Sequence, residues 1–321
     1  MKRFIRLLSI FVLLLAILSV IADKAISKGL TGIERGHFYT MNALMNQTMD
    51  ADVIILGSSR ASSAYHPYVL DTVLNVNSRN LGVSGQPFGV SVLRWRLYRR
   101  NNCPPKLLII NMDYSELDMV TNGFEREQYY PYMKDTLVRP YLDLYGFNWA
   151  EKNLPLYRYH GNIKLMGIGL TELLHIRHDT KEVYCKGYTN PPGEWSGEHL
   201  EAVLKKGKVK GKSNPEAVSL LEDLIQDAQR DSIPILFVYS PMYSVLKDNL
   251  DEEQSLSAYC TLSERYGIPV LDFSRMDFCN DTTFFSDGNH VNDMGARRFS
   301  EALGRAIDSL GILKRPLSDN N

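Results

Sequence analysis

Asp52–Arg60 reads DVIILGSSR. Asp52 to Leu56 runs from one polar residue into an unbroken apolar, β-rich stretch, and Gly57-Ser58-Ser59-Arg60 stops it abruptly. A short apolar run cut off at a glycine is the pattern of a strand covered on both faces, as in a parallel sheet flanked by helices. Residues just past the carboxyl end of such a strand lie where open α/β sheets carry their chemistry. Ser58 and Ser59 therefore stand as nucleophile candidates. The same residues also suit a tight turn that caps a helix, and this stretch alone leaves both readings open.

The rhythm repeats on either side of a long interruption. Lys106–Asn111 (KLLIIN) is another buried-strand pattern, Ile233–Tyr239 (IPILFVY) and Ile268–Phe273 (IPVLDF) read as further strands, and Asn80–Gly85 (NLGVSG) predicts a short strand entering a glycine loop. Helical patterns lie between them. One runs from Ser59 to Val73 with a break near His66-Pro67, and others cover Val90–Arg100, Pro215–Arg230, Glu252–Tyr266 and Asn292–Leu310. Repeated β-turn-α units predict an α/β fold, a parallel sheet of about five strands with helices on both faces. The tyrosine-rich stretch at about 117–214 breaks the rhythm and reads as a helical and loop insertion. Its aromatics suit helix packing or a carbohydrate-stacking surface.

The 321 residues are 44% hydrophobic and 23% charged, with net charge -1, so no nucleic-acid partner is indicated. Lys205–Lys212 (KKGKVKGK) is the one basic run, a solvated loop or a contact for an anionic polymer. Lys2, Arg3 and Arg6 precede the apolar run Leu7–Ala22, the pattern of an export signal. Its sixteen residues fall slightly short of a full span, and a flanking turn makes up the difference. No cysteine follows, which excludes a lipoprotein anchor, and the pattern favours an uncleaved signal anchor with its positive end cytoplasmic. The domain then lies outside the membrane, periplasmic or at the cell surface, or secreted if cleavage occurs at Val20-Ile21-Ala22. The expected organisation is a transmembrane segment over 1–22, a linker helix over 23–50, the α/β domain over 51–313 and a loose tail over 314–321. Cys103, Cys185, Cys260 and Cys279 have no metal-ligand spacing, and an exported chain leaves room for one disulfide of unspecified pairing.

A base for the serine comes from Asp287-Gly288-Asn289-His290, just before the last helix. With the imidazole three positions after the carboxylate, a turn lets Asp287 hold one ring nitrogen while the other faces a nucleophile. Ser59 follows the first strand and Asp287 and His290 follow the last, so a sheet has to bring them together. Arg60 suits a substrate anion or a helix cap, and Asp272 could support the site from behind. His66, His160, His175 and His178 lack a partner pattern and read as structural or solvated. No P-loop, dinucleotide fingerprint or metal-ligand spacing is present, so neither cofactor nor metal is expected.

Gly57-Ser58-Ser59, Asn80–Gly85 and Asp287–His290 together resemble three blocks of the SGNH (GDSL-like) hydrolase superfamily. The resemblance implies a flavodoxin-like three-layer α/β/α fold preceded here by a transmembrane helix. It puts Ser59 in the nucleophile position, with His290 and Asp287 completing the triad. It also implies an oxyanion hole from Ser59, Gly85 (Gly82 in reserve) and Asn111, with Ser58, Arg60, Gly82, Asp113 and Asn289 as candidate neighbours. One block departs: where the family has GxND, this chain has Asn111-Met112-Asp113-Tyr114. Anchor, Gly-Ser-Ser and DxxH together are similar to the D-alanyl-lipoteichoic acid transfer and alginate O-acetyltransferase accessory proteins. That likeness implies a membrane-bound O-acyltransferase as partner and acylated cell-envelope polymers as substrate.

Three expectations follow. The first is an extracytoplasmic serine esterase or O-acyltransferase acting on acyl, including acetyl, esters of an envelope polysaccharide. The second is an inactive module gripping a glycan or a membrane acyltransferase, favoured by the altered third block and the aromatic insertion. The third is a structural envelope protein without a site.

Overall fold

A computed structural model describes residues 1–46, 49–85, 87–118, 125–176, 186–189, 191 and 193–313. Along the chain, α1 (Lys2–Leu30) and α2 (Gly36–Met45) precede β1 (Val53–Leu56). Next come α3 (Ser59–Ala64), α4 (Pro67–Leu74), β2 (Ser78–Asn80), α5 (Phe88–Asn101) and β3 (Leu107–Asn111). A stretch with three short 3-10 turns follows, carrying α6 (Trp149–Asn153), α7 (Ile163–Leu173) and α8 (Glu198–Lys205). After β4 (Val209–Lys210) and α9 (Pro215–Arg230) the chain forms β5 (Ile235–Tyr239), α10 (Ser244–Asp248) and β6 (Leu250–Asp251). It closes with α11 (Glu253–Tyr266), β7 (Val270–Asp272) and α12 (Asp293–Leu310).

The chain divides into two units, Met1–Asn42 with Glu125–Val183, and Ala43–Phe124 with Tyr184–Asn321. The second unit holds a five-stranded, wholly parallel sheet in the order β2-β1-β3-β5-β7. That is the flavodoxin-like order, whose switch point lies between β1 and β3. The apolar strand residues alternate between faces. Val53, Ile55, Leu107, Ile109, Leu236 and Val238 join Phe299, Leu303 and Ile307 of α12 in one fully buried core. Phe237 points the other way, its ring 5.6 Å from Tyr259 of α11 and edge-on to it. With α4 packed on α12, and α5 and α11 on α9, the layers are α/β/α. Caps place the helices: the Asn214 side chain accepts the Glu216 amide at the start of α9, and Asn292 accepts the Gly295 amide at the start of α12.

β2 differs from the strand expected over Asn80–Gly85, since pairing with β1 ends at Asn80. Ser78 and Asn80 are polar yet fully buried, because their side chains are bonded to Asp71 and to the carbonyls of Ala61 and Tyr65. Leu81 and Val83 still donate to Ile55 and Gly57, but the Gly82 amide turns back onto the Asn80 side chain and bends the segment into a loop. Cys103, Cys260 and Cys279 are free thiols, and Cys185 lies outside the described residues. So does the tail over 314–321.

In the first unit, α1 passes Asp23 without a break, so the expected linker begins as the last turns of the same helix and ends in α2. Asn42 ties the bend between them, donating to the carbonyls of Leu30 and Ile33 and accepting from the Tyr132 hydroxyl at 2.7 Å. The insertion is divided between the units: its described residues 125–176 belong with α1, and those from 186 on belong with the sheet. Its tyrosines mostly pack inward, with Tyr129, Tyr130, Tyr145 and Tyr159 buried and the Tyr129 and Tyr145 rings 4.4 Å apart.

Candidate active site

β1 delivers Gly57 at φ +147°, a conformation that L side chains rarely adopt, and a Cβ there would lie 2.8 Å from the Cβ atoms of both Ala61 and Asn111. This turn brings Ser59 to the start of α3 directly beyond the strand. Ser58 is the cap: its hydroxyl accepts the Arg60 amide and donates to Asp113 Oδ2 at 2.5 Å. The capping reading of Gly-Ser-Ser is thus met by Ser58, which leaves the Ser59 hydroxyl outside the cap.

At the other end of the sequence, Phe285 and Val291 form an antiparallel bridge that closes the loop between them. Asp287 Oδ1 accepts the amides of Asn289 (2.7 Å) and His290 (3.0 Å), which folds the loop back on itself. The same carboxylate lies 2.9 Å from His290 Nδ1, and His290 Nε2 lies 2.8 Å from Ser59 Oγ. Because a carboxylate only accepts, Nδ1 carries the proton and Nε2 is left to accept from the Ser59 hydroxyl. Burial alone would raise the Asp287 carboxyl. The hydrogen bond and charge of His290, with the two loop amides, outweigh it and hold the group below the usual aspartate value. The arrangement can take a proton from Ser59 and stabilise the imidazolium that results.

Ser59, Asp287 and His290 line a cleft of about 430 Å³ together with Ser62, Ser63, Ser84, Gly85, Thr189, Pro191 and Ser286. Ser62 and Ser63 stand three and four residues beyond Ser59 on α3, so helical spacing alone signals them. Thr189 and Ser286 carry no such signal, because their loops are brought in by the fold: Thr189 bonds Ser62 through both its amide and its hydroxyl.

The remaining expected residues divide. The amides of Ser59 and Gly85 donate to no group among the described residues, and Gly85 is held at φ +62° on the rim of the cleft. The Gly82 amide is taken by Asn80. Asn111 does not reach the cleft. It is fully buried, with its Oδ1 accepting from Tyr65 and its Nδ2 donating to the Met112 carbonyl. The expected oxyanion role of Asn111 is corrected accordingly, since the side chain belongs to the core at the end of β3. Asp113 serves Ser58 and Ser115. Arg60 is also turned inward, 1% exposed, and donates to the carbonyls of Ser240 and Pro241 beyond β5. It is a brace between two strand ends rather than an anion holder. Asn289 contributes its amide to Asp287. Glu116 is buried beside them and accepts from Ser91, and burial together with Asp113 pushes its carboxyl well above the usual range. Among the described residues no group of three or more His, Cys, Asp or Glu is placed to hold a metal.

No family profile and no curated protein matches the chain. Among solved structures, a "putative acylhydrolase" from Bacteroides fragilis NCTC 9343 is similar at 12% identity and TM-score 0.42, over 86% of this chain and 99% of that one. A "putative lipolytic protein of G-D-S-L family" from Desulfitobacterium hafniense DCB-2 is similar at 14% identity and TM-score 0.36, over 79% and 97%. Likeness at this level adds no weight to the chemistry of the site.

Proposed function

We propose that the protein is an extracytoplasmic, membrane-anchored serine esterase or O-acyltransferase acting on short acyl esters of a cell-envelope polysaccharide. The observation that carries this reading is the unbroken chain Ser59 Oγ–His290 Nε2 and Nδ1–Asp287 at 2.8 and 2.9 Å on the wall of an open cleft. Ser59 attacks the acyl carbonyl carbon as its proton passes to His290 Nε2, and the amides of Ser59 and Gly85 receive the oxyanion. Collapse breaks the ester bond, and His290 returns the proton to the departing alcohol. The acyl-serine is then attacked by water, giving deacylation, or by a sugar hydroxyl, giving transfer; His290 takes the attacking proton and returns it to Ser59 Oγ as the acyl–serine bond breaks. Ser62, Ser63, Thr189 and Ser286 surround this point with hydroxyls, which suits a small acyl group on a polar alcohol better than a long lipid chain. The anchor reading draws on α1, whose apolar 18-residue window has mean hydropathy 2.8 and no buried residue.

A binding module without catalysis is favoured by one observation, the absence of Asn111 from the cleft, which leaves two backbone donors. A fluorophosphonate probe separates the readings. Covalent labelling of Ser59, lost in His290→Ala, supports the enzyme. A chain that binds acetylated polysaccharide without labelling supports the module.

A further inference from the structure

We propose that the outer face of α7, with the segment just before it, sits in the lipid headgroup and acyl boundary of the bilayer that α1 crosses. The inference builds on the reading of α1 as a membrane anchor.

α7 has two apolar faces. Leu165 and Gly169 are buried, and at 3.6 residues per turn Ile163, Leu170 and Leu174 fall on the opposite side. Those three are 74%, 40% and 63% exposed. The inner face is clamped to α1: a Cβ on Gly29 would lie 1.6 Å from the Gly169 carbonyl oxygen, and one on Gly169 would lie 2.7 Å from the Ile26 carbonyl oxygen. Backbones in such contact fix α7 beside the last turns of α1. Burial on α1 sets in around Ser19 and Ala22 and is complete at Ile26, Gly29 and Leu30.

The height of that contact relative to the membrane follows from length. A hydrocarbon layer of about 30 Å takes about twenty helical residues, and counted from Leu7, the first residue after Arg6 closes the basic start, these end at Ile26, within one turn of Asp23. At that level the carboxylate is not left bare. Arg158 Nη2 donates to Asp23 Oδ2 at 2.6 Å, and the Leu156 amide donates to Oδ1. Pairing lowers the cost of a charge at the membrane boundary. α7 follows within a few residues of this ion pair and hugs the helix just beyond it, so its outer apolar face continues the lipid-facing surface of α1. Trp149 and Tyr157, both exposed, are the residue types that settle at membrane interfaces. A helix held in this way buries its apolar side about 5–10 Å into the boundary layer. Lipid is therefore the occupant: bare in water, this face would expose apolar surface next to a helix that already demands a bilayer.

The test uses the full chain reconstituted at low density in phosphatidylcholine vesicles whose acyl chains are brominated either near the headgroup or near the chain end. Tryptophan replaces Leu170 in one variant and Phe11 in another, and bromine quenching is read against the unmodified chain. Phe11→Trp is expected to be quenched most by the deep bromines and Leu170→Trp by the shallow ones, with a comparable loss of intensity. Quenching of Phe11→Trp without quenching of Leu170→Trp overturns the inference and leaves the anchor standing, which is also the result if a second copy covers the face. Quenching of neither overturns the anchor reading and the inference with it. Since positions 11 and 170 are both exposed, the folded unit tolerates either change, and circular dichroism confirms it.

Discussion

Replacing Asp287 by Asn changes one atom and tests what the carboxylate does. In the native loop Asp287 Oδ1 accepts two backbone amides, while Oδ2 meets His290 Nδ1. An amide side chain can keep its oxygen on the loop amides, but then its NH₂ faces Nδ1. That contact favours the tautomer with the proton on Nε2, which cannot accept from Ser59. Geometry survives and the base is lost. The corresponding aspartate-to-asparagine change in a serine protease triad costs about 10⁴-fold in kcat, or about 5.5 kcal/mol of barrier. A comparable loss is expected here with KM within a few-fold, read as hydrolysis of short-chain nitrophenyl esters. Stability should move much less, and with a definite sign. The Asp287 carboxyl is held below its usual value. Its contribution to folding is therefore present above the unfolded pKa of about 3.9 and fades as pH falls through the lower folded value. Asp287→Asn should thus be slightly less stable than the native chain at neutral pH, and equal to it in strong acid. A kcat within tenfold of native would refute the triad assignment, whatever the stability.

Three further outcomes follow from the same geometry. Asn111→Ala should lower stability by about 1–3 kcal/mol in urea denaturation by removing the nearer acceptor of the buried Tyr65 hydroxyl, which keeps only the Val238 carbonyl at 3.4 Å, yet leave kcat/KM within a few-fold. A loss of about 10²–10³ in kcat, the cost of an oxyanion donor, would contradict its placement. Gly57→Ala forces a side chain into φ +147° against two Cβ atoms at 2.8 Å, so a cost of at least about 1–3 kcal/mol and a displaced Ser59 should appear together in melting curves and esterase rates. Glu116 has its carboxyl pushed up by burial and Asp113. The folded chain therefore holds a proton that the unfolded chain has released above about pH 4.3, and native stability falls as pH rises through that window. Glu116→Gln keeps the Ser91 partner without the titration, so its stability relative to native should increase as pH rises above about 5; a constant difference would refute an elevated Glu116.

The parallel sheet was legible because four of its five strands, Val53–Leu56, Leu107–Asn111, Ile235–Tyr239 and Val270–Asp272, fall within apolar runs. β2 was not, since Ser78-Arg79-Asn80 has no apolar pattern and becomes buried only through bonds to Asp71, Ala61 and Tyr65. Ser59, Asp287 and His290 carried their signal in local turn chemistry at two strand-associated loops, and the fold sets them at hydrogen-bond distance. Asn111 and Arg60 were misjudged for one reason: proximity in sequence to a strand end does not say whether a side chain turns to the cleft or to the core. Tyr65 and Ser240, distant in sequence, decide that. The clamp between α1 and α7 was equally silent, because it is made of two glycines, Gly29 and Gly169, whose role exists only in the packed helices.

The central claim is that Ser59 is a nucleophile activated by His290. The most direct measurement is ester cleavage by the reconstituted full chain beside Ser59→Ala and His290→Ala, each verified as folded by circular dichroism. The account predicts that both variants fall to the buffer rate while the native chain turns over. Cleavage by Ser59→Ala at the native rate would contradict it.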